Sequence, residues 1–154
     1  MKLPTREEGQ RRLLLLARRI EQPDVGGRFD YGHFVGNNWA GRQDLSCGTT
    51  ACAAGWGATI PEFRELGYKL IESAYIAPGT GRHVVLGSPS FQGETGHDAL
   101  QRFFGLDYGE VDYLFYPETA KEEKMTAADV AKRIRMFVSG EKTERDETDE
   151  DEYC

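Results

Sequence analysis

The sequence lacks the long apolar run that a membrane-spanning helix needs. The apolar run at residues 13–17 is flanked by arginine pairs and falls far short of the roughly 18 residues that such a helix requires. Glu7 and Glu8 stand where a secretory signal peptide would turn apolar, so no signal peptide is expected. We therefore expect a cytoplasmic protein that does not enter a membrane.

Cysteine and proline are also scarce, with three cysteines and six prolines among 154 residues. Three cysteines exclude a fully paired disulfide scaffold. The aromatic supply is nevertheless ample, with 8 Phe, 7 Tyr and 2 Trp, which suffices for a hydrophobic core. Composition and length together predict one globular domain rather than a disordered chain.

The acidic charge of the chain is concentrated at its C-terminal end. Residues 141–154 carry eight acids and two bases, which accounts for −6 of the formal net charge of −7. A segment with so much like charge cannot bury enough apolar surface to fold alone. We expect a single compact domain over residues 3–140 and a disordered acidic tail over residues 141–154.

The tail is a candidate binding segment, with Asp149, Glu150, Asp151 and Glu152 as its most concentrated acidic run. Its charge suits a basic surface, and two such surfaces are possible. One is the chain's own first helix, which is rich in arginine, and the other is the nucleic-acid-binding site of a partner protein. Direct nucleic-acid binding by this chain is disfavoured because the rest of the molecule opposes it electrostatically.

Helical periodicity and capping signals appear near both ends of the predicted domain. Thr5 precedes a helix whose apolar stripe ends at Ile20, and three later segments each open on a capping residue and close on Gly or Pro. Two β-rich runs on either side of residues 78–81 predict a hairpin. The three later helices are expected between Thr95 and Gly105, between Asp107 and Pro117, and between Thr126 and Gly140.

The segment from Cys47 to residue 58 is unusually rich in Ala and Gly. We expect Thr49 or Thr50 to cap a helix there, and its small side chains would let neighbouring backbones approach closely. The fold class expected is α+β and mainly helical. It would comprise a central small-residue helix, surrounding short helices and one β-hairpin. Before this helix, residues 28–46 are expected to form an irregular loop with inward-facing aromatic anchors, namely Phe29, Phe34 and Trp39.

The string C-G-T-T-A-C-A-A-G-W at residues 47–56 follows F-D-Y-G-H-F at residues 29–34. Together with A-L-x-x-F-F-G-L at 99–106 and L-F-Y-P at 114–117, it resembles an uncharacterised family of small bacterial and phage proteins with a C-G-T-x-x-C-x-A-G-W motif. The resemblance covers about residues 28–138. It implies a phage or mobile-element origin, and it implies no reaction and no catalytic residue.

The residues themselves offer one catalytic interpretation, in which a cysteine thiol acts as a nucleophile. Cys47 would precede the small-residue helix, whose N-terminus favours a thiolate, and His83 or His97 could act as the base. The competing interpretation is that a cysteine among Ala and Gly simply packs. If both are helical, Cys47 and Cys52 lie about 140° apart around the helix, so we expect neither a metal site nor a disulfide between them. We also expect no cofactor.

Tyr108, Tyr113 and Tyr116 surround a predicted helix that already has an apolar stripe to bury. Tyrosines beyond that stripe are typical of an interaction surface, although partial burial at the core edge would also explain them. The sequence therefore favours a non-enzymatic protein-binding factor of phage or mobile-element type. We expect it to inhibit a host defence complex through surface complementarity and its acidic tail. The alternative is a thiol hydrolase, papain-like or cell-wall-peptidase-like, with Cys47 as nucleophile.

Overall fold

The computed structural model describes residues 4–25, 28, 29, 31, 51–76, 79 and 83–140 of the chain, with the backbone alone for 72–76 and 83–86. This part of the chain is α+β and mainly helical, which confirms the predicted fold class. Its elements in chain order are α1 (Arg6–Ile20), α2 (Ala53–Gly57), α3 (Pro61–Glu65), β1 (Lys69–Ile76), β2 (His83–Phe91), β3 (Glu94–Thr95), α4 (Gly96–Phe104), α5 (Tyr108–Phe115), α6 (Ala120–Glu123) and α7 (Ala127–Ser139).

Helix α1 begins where the capping pattern predicts. The Thr5 side chain accepts the Glu8 backbone N–H at 3.1 Å, and the predicted apolar stripe ending at Ile20 is buried. The helix packs along α7 and crosses α4 at Gly9. A Cβ atom at Gly9 would lie 2.0 Å from the carbonyl oxygen of Phe104, so this crossing requires glycine.

The predicted hairpin is present as strands β1 and β2, which pair antiparallel with Lys69 opposite Ser90. A short strand that the sequence analysis did not anticipate, β3, extends the sheet beyond β2. The connecting turn at Gln92 and Gly93 has φ values of 52° and 80°, which suit the tight turns that join paired strands. The sheet contacts α4 mainly through β2.

Five fully or nearly fully buried rings form the cluster that we call the aromatic core. Their contacts are mostly edge to face, with ring centroids 4.7 Å apart for Phe63 and Phe103 and 4.9 Å apart for Phe91 and Phe103, as aromatic pairs prefer. The Tyr68 hydroxyl donates a hydrogen bond to the Ala54 carbonyl. The members of the aromatic core are Phe63, Tyr68, Phe91, Phe103 and Phe104.

Helix α2 is the predicted small-residue helix, and all of its residues are buried. Its predicted cap is wrong, because the N-cap residue is Cys52 rather than Thr49 or Thr50. Ala51 forms a parallel bridge with Phe29 and donates its N–H to the Arg28 carbonyl at 3.0 Å. That bridge keeps the chain extended until Cys52. The two threonines lie outside the described residues, as do the expected anchors Phe34 and Trp39.

The C-terminal half contains one helix that the sequence analysis missed. Thr119 caps α6 by accepting the Glu122 N–H at 3.0 Å, and the pattern of Thr followed three residues later by Glu was available as a signal. Glu122 also forms a buried ion pair with Arg133 at 2.8 Å, which ties α6 to α7. Helix α7 ends at Gly140 in a left-handed conformation, and the predicted acidic tail lies outside the described residues.

Candidate interaction site

Three ring-bearing residues from two helices meet on one side of the molecule. His97, in the first turn of α4, lies nearly parallel to Tyr108, with centroids 3.8 Å apart and planes 19° apart. Tyr116, at the C-cap of α5, is also nearly parallel to His97, with centroids 5.4 Å apart. We call His97, Tyr108 and Tyr116 the aromatic stack.

A capping box fixes the first turn of α5 and with it the backbone of Tyr108. Asp107 accepts the Glu110 N–H at 2.8 Å, and the Glu110 carboxylate accepts the Asp107 N–H at 3.0 Å. Arg6 of α1 donates two further hydrogen bonds to Glu110, at 3.0 and 2.8 Å. The Tyr108 side chain itself is 65% exposed, so it is presented to solvent from an anchored position.

Tyr113 does not join the aromatic stack. It follows Tyr108 by five residues, which is about 140° away around a helix. Its ring instead lies 4.8 Å from the guanidinium carbon of Arg133 and 6.5 Å from the ring of Phe137. The predicted three-tyrosine surface therefore divides into an exposed Tyr108, a half-buried Tyr116 within the stack, and a half-buried Tyr113 on the core edge.

The polar atoms of His97 distinguish the aromatic stack from the aromatic core. Both ring nitrogens of His97 are buried, and neither has a hydrogen-bond partner within the part of the chain that the structure describes. A neutral imidazole carries one donor and one acceptor, and leaving a buried polar atom unmatched costs about 1–3 kcal/mol. Most buried polar atoms in native proteins are matched, so the unmatched nitrogens make His97 a candidate binding residue.

Four acidic groups of the described residues act electrostatically on Tyr116. Burial raises the pKa of Tyr116, and the Cys52 thiol, the Tyr108 phenol and the carboxylates of Asp112 and Asp98 raise it further. Asp98 is exposed on α4. The surface around the aromatic stack therefore favours a positively charged ligand.

The candidate Cys–His pair is not assembled by the described residues. Cys47 lies outside them, and His83 stands at the start of β2 opposite Ile76. The nitrogens of His97 make no hydrogen bond to a thiol. Cys52 is buried and its backbone is extended rather than helical, so the condition of the angular argument, that both cysteines are helical, does not hold at Cys52. Within the described residues there is no group of three or more His, Cys, Asp or Glu side chains suited to a metal ion.

Four of the five arginine side chains of α1 are engaged inside the domain, a feature that sequence reasoning missed. Arg12 donates to the Phe103 carbonyl at 2.7 Å. Arg19 donates twice to Asp24, at 2.9 Å each, and these bonds hold the pKa of Asp24 below its usual value. The remaining pairs link Arg6 to Glu110 and Arg11 to both Glu8 and Glu62.

Comparisons of the chain with protein-family models, curated proteins and solved structures give no match. The resemblance to a small bacterial and phage family therefore stays a prediction. Among the residues that the structure describes, no helix combines the length and the hydrophobicity needed to cross a bilayer.

Proposed function

We propose that this protein is a non-enzymatic protein-binding factor of phage or mobile-element type. In this proposal it inhibits a host defence complex by presenting its acidic C-terminal segment to a basic surface, such as a nucleic-acid-binding site. The observation that supports the proposal is the engagement of the α1 arginines by partners within the domain.

The acidic segment could dock either on α1 or on a basic surface of another protein, and the contacts of the α1 arginines favour the second. Four of the five arginines in α1 already have a carboxylate or carbonyl partner, and Arg18 is the exposed remainder. Docking on α1 would exchange existing ion pairs for similar ones, so it would gain little. A basic surface on another protein, whose charges are not already paired, is the more favourable target.

Long-range electrostatics would assist such an interaction. A segment with a net charge of −6 accelerates encounter with a basic surface and disfavours acidic partners. Because the Debye length falls from about 30 Å at 0.01 M salt to about 3 Å at 1 M, this component of binding weakens as salt rises. The exposed ring of Tyr108 adds an apolar contact of a kind that is frequent at protein interfaces.

Affinity capture from the native host tests the proposal with two forms of the full chain. One form is the natural sequence, and the other replaces four tail acids with their amides, Asp149→Asn, Glu150→Gln, Asp151→Asn and Glu152→Gln. We expect the natural chain to retain a host protein and to displace nucleic acid from it. The amide variant should bind about ten-fold or more weakly. Capture that is insensitive to both the substitutions and added salt would contradict the proposal.

The same capture separates this function from a thiol hydrolase. The Cys47→Ser variant removes the candidate nucleophile and keeps a side chain of similar size. A binding factor should capture and inhibit its partner as well after this change as before. Loss of the biological effect in the Cys47→Ser variant, with partner capture intact, would favour the hydrolase instead.

A further inference from the structure

We infer that the aromatic stack, together with Asp98 and Asp112, is a docking site for an arginine side chain of a partner protein. This inference rests on the proposed function to the extent that both require a basic partner. It adds a specific contact on the folded domain to the contact made by the acidic segment.

The first step of the argument is the exposed ring of Tyr108. A guanidinium within about 6 Å of an aromatic centroid is attracted by the ring, and the domain makes this contact itself at Phe103, Phe137 and Tyr113. Among the described residues, no arginine lies over Tyr108, whose side chain is 65% exposed. Its ring is therefore available to a cation from outside the chain.

The second step is the unmatched imidazole of His97. An arginine carries five N–H donors in a planar fork, whereas neutral imidazole offers one acceptor nitrogen. Tyr108 stacks on His97 with ring centroids 3.8 Å apart and is 65% exposed. In this inference the Tyr108 side chain rotates on binding and uncovers the imidazole. A guanidinium stacked on Tyr108 can then donate to the acceptor nitrogen.

The third step is charge. Asp98 directly follows His97 in α4, and Asp112 lies one helical turn from both Tyr108 and Tyr116 along α5, which places both carboxylates close to the aromatic stack. A bound guanidinium would gain counter-charges there. Arginine suits this site better than lysine, because the flat guanidinium stacks on rings and donates in several directions, whereas the ammonium is compact and strongly hydrated.

Titration of the full chain with an oligo-arginine peptide tests the inference, with an oligo-lysine peptide of equal length for comparison. The four tail acids are replaced by amides throughout, so that the tail contributes little to binding. We expect arginine to bind more tightly than lysine, and Tyr108→Ala to weaken arginine binding about ten-fold. Tyr108→Phe keeps the ring, so its affinity for the arginine peptide should stay close to that of the parent. Leu66→Ala, which trims another exposed apolar side chain, should have no effect.

Two further variants address the polar part of the site. Asp98→Asn should reduce arginine binding several-fold, and His97→Phe should reduce it while circular dichroism shows the fold intact. Imidazole signals of His97 in NMR spectra should shift on addition of the arginine peptide. Their failure to shift, or equal binding by the parent, Tyr108→Ala and Asp98→Asn, would overturn the inference.

The outcomes of the two proposals are distinguishable. If host capture depends on the tail acids but peptide binding ignores Tyr108 and Asp98, the proposed function stands and the docking site is wrong. If peptide binding depends on the stack but host capture ignores the tail acids, the role of the tail is wrong. If the arginine and lysine peptides bind equally and independently of the stack, binding reflects net charge alone, which also overturns the docking site.

Discussion

The aromatic core and the aromatic stack consist of similar rings, but they differ in burial and in the hydrogen bonding of their polar atoms. In the core, Phe63 and Phe103 meet edge to face at 4.7 Å with no exposure, and the Tyr68 hydroxyl has an acceptor. In the stack, His97 and Tyr108 lie parallel at 3.8 Å, Tyr108 is largely exposed, and the nitrogens of His97 have no partner.

The difference separates what holds the domain together from what is available for binding. Burial of apolar surface accounts for the aromatic core, since its rings are fully or nearly fully removed from water. Its one polar group, the Tyr68 hydroxyl, has a hydrogen-bond acceptor. Burial does not account for the stack, which leaves a ring in solvent and a polar side chain unsatisfied. Departures from local consistency of this kind tend to fall at functional sites.

The largest expected effect comes from truncating one ring in each cluster. Phe103→Ala removes a fully buried ring that contacts four other aromatic residues, and it should lower the free energy of unfolding by about 3–5 kcal/mol. Tyr108→Ala removes an exposed ring and loses only the stacking with His97, so it should cost about 0.5–1.5 kcal/mol. Urea unfolding followed by circular dichroism measures both values.

Matched controls keep this comparison interpretable. Phe103→Leu retains most of the apolar volume and should lose less than Phe103→Ala, because the cavity left behind is smaller. If Tyr108→Ala destabilised the protein as much as Phe103→Ala, the stack would be part of the structural core. The distinction between the two clusters would then be wrong.

Much of the fold was predictable from the sequence because its signals are local. The stops at Gly105 and Gly140 and the cap at Asp107 report backbone geometry within a single turn of chain. The cap of α2 was not predictable in this way. Its start at Ala53 depends on the bridge between Phe29 and Ala51, two residues that are distant in sequence.

The candidate site was predictable only in part, for the same reason. Tyr108 and Tyr116 could be nominated from their excess over the helical stripe, and His97 could be nominated as a titratable group. Their contact depends on how α5 turns back on α4 after Gly105, which adopts a left-handed conformation. Likewise, the pairing of Arg6 with Glu110 spans 104 positions, so no local pattern reveals that the basic charge of α1 is already matched.

Substitutions that replace a polar group with an apolar one should have stability effects of opposite sign in the two clusters. Tyr68→Phe deletes a hydroxyl that is matched by the Ala54 carbonyl and should destabilise the protein by about 1 kcal/mol, since that carbonyl loses its donor. His97→Phe deletes two unmatched nitrogens while keeping a ring for stacking, and should stabilise the protein by about 1 kcal/mol. Chemical denaturation of the two variants beside the parent measures the difference. Destabilisation by His97→Phe would mean that the imidazole is already satisfied in solution.

The smallest expected effect concerns the ion pair between Arg6 and Glu110. This pair joins α1 to α5, the helix that carries Tyr108. Hydrogen bonds from Arg6 hold the pKa of Glu110 below its usual value. A carboxyl group with a lowered pKa stabilises the folded state above its unfolded pKa of about 4.3, and this contribution is lost as the pH falls through the lower folded value.

Glu110→Gln should therefore cost about 0.2–1 kcal/mol at neutral pH, as partly exposed ion pairs do, and the cost should shrink as the medium becomes acidic. Glu65→Gln, at an exposed position on α3, makes the same change of charge and controls for net charge. Thermal unfolding of both variants and the parent between about pH 3 and pH 7 measures the trend. A cost for Glu110→Gln that stayed constant across this range would show that it does not arise from the charge of Glu110. In that case the ionic pairing of Glu110 with Arg6 would contribute little to stability, since glutamine keeps the oxygen that accepts the Asp107 N–H in the capping box.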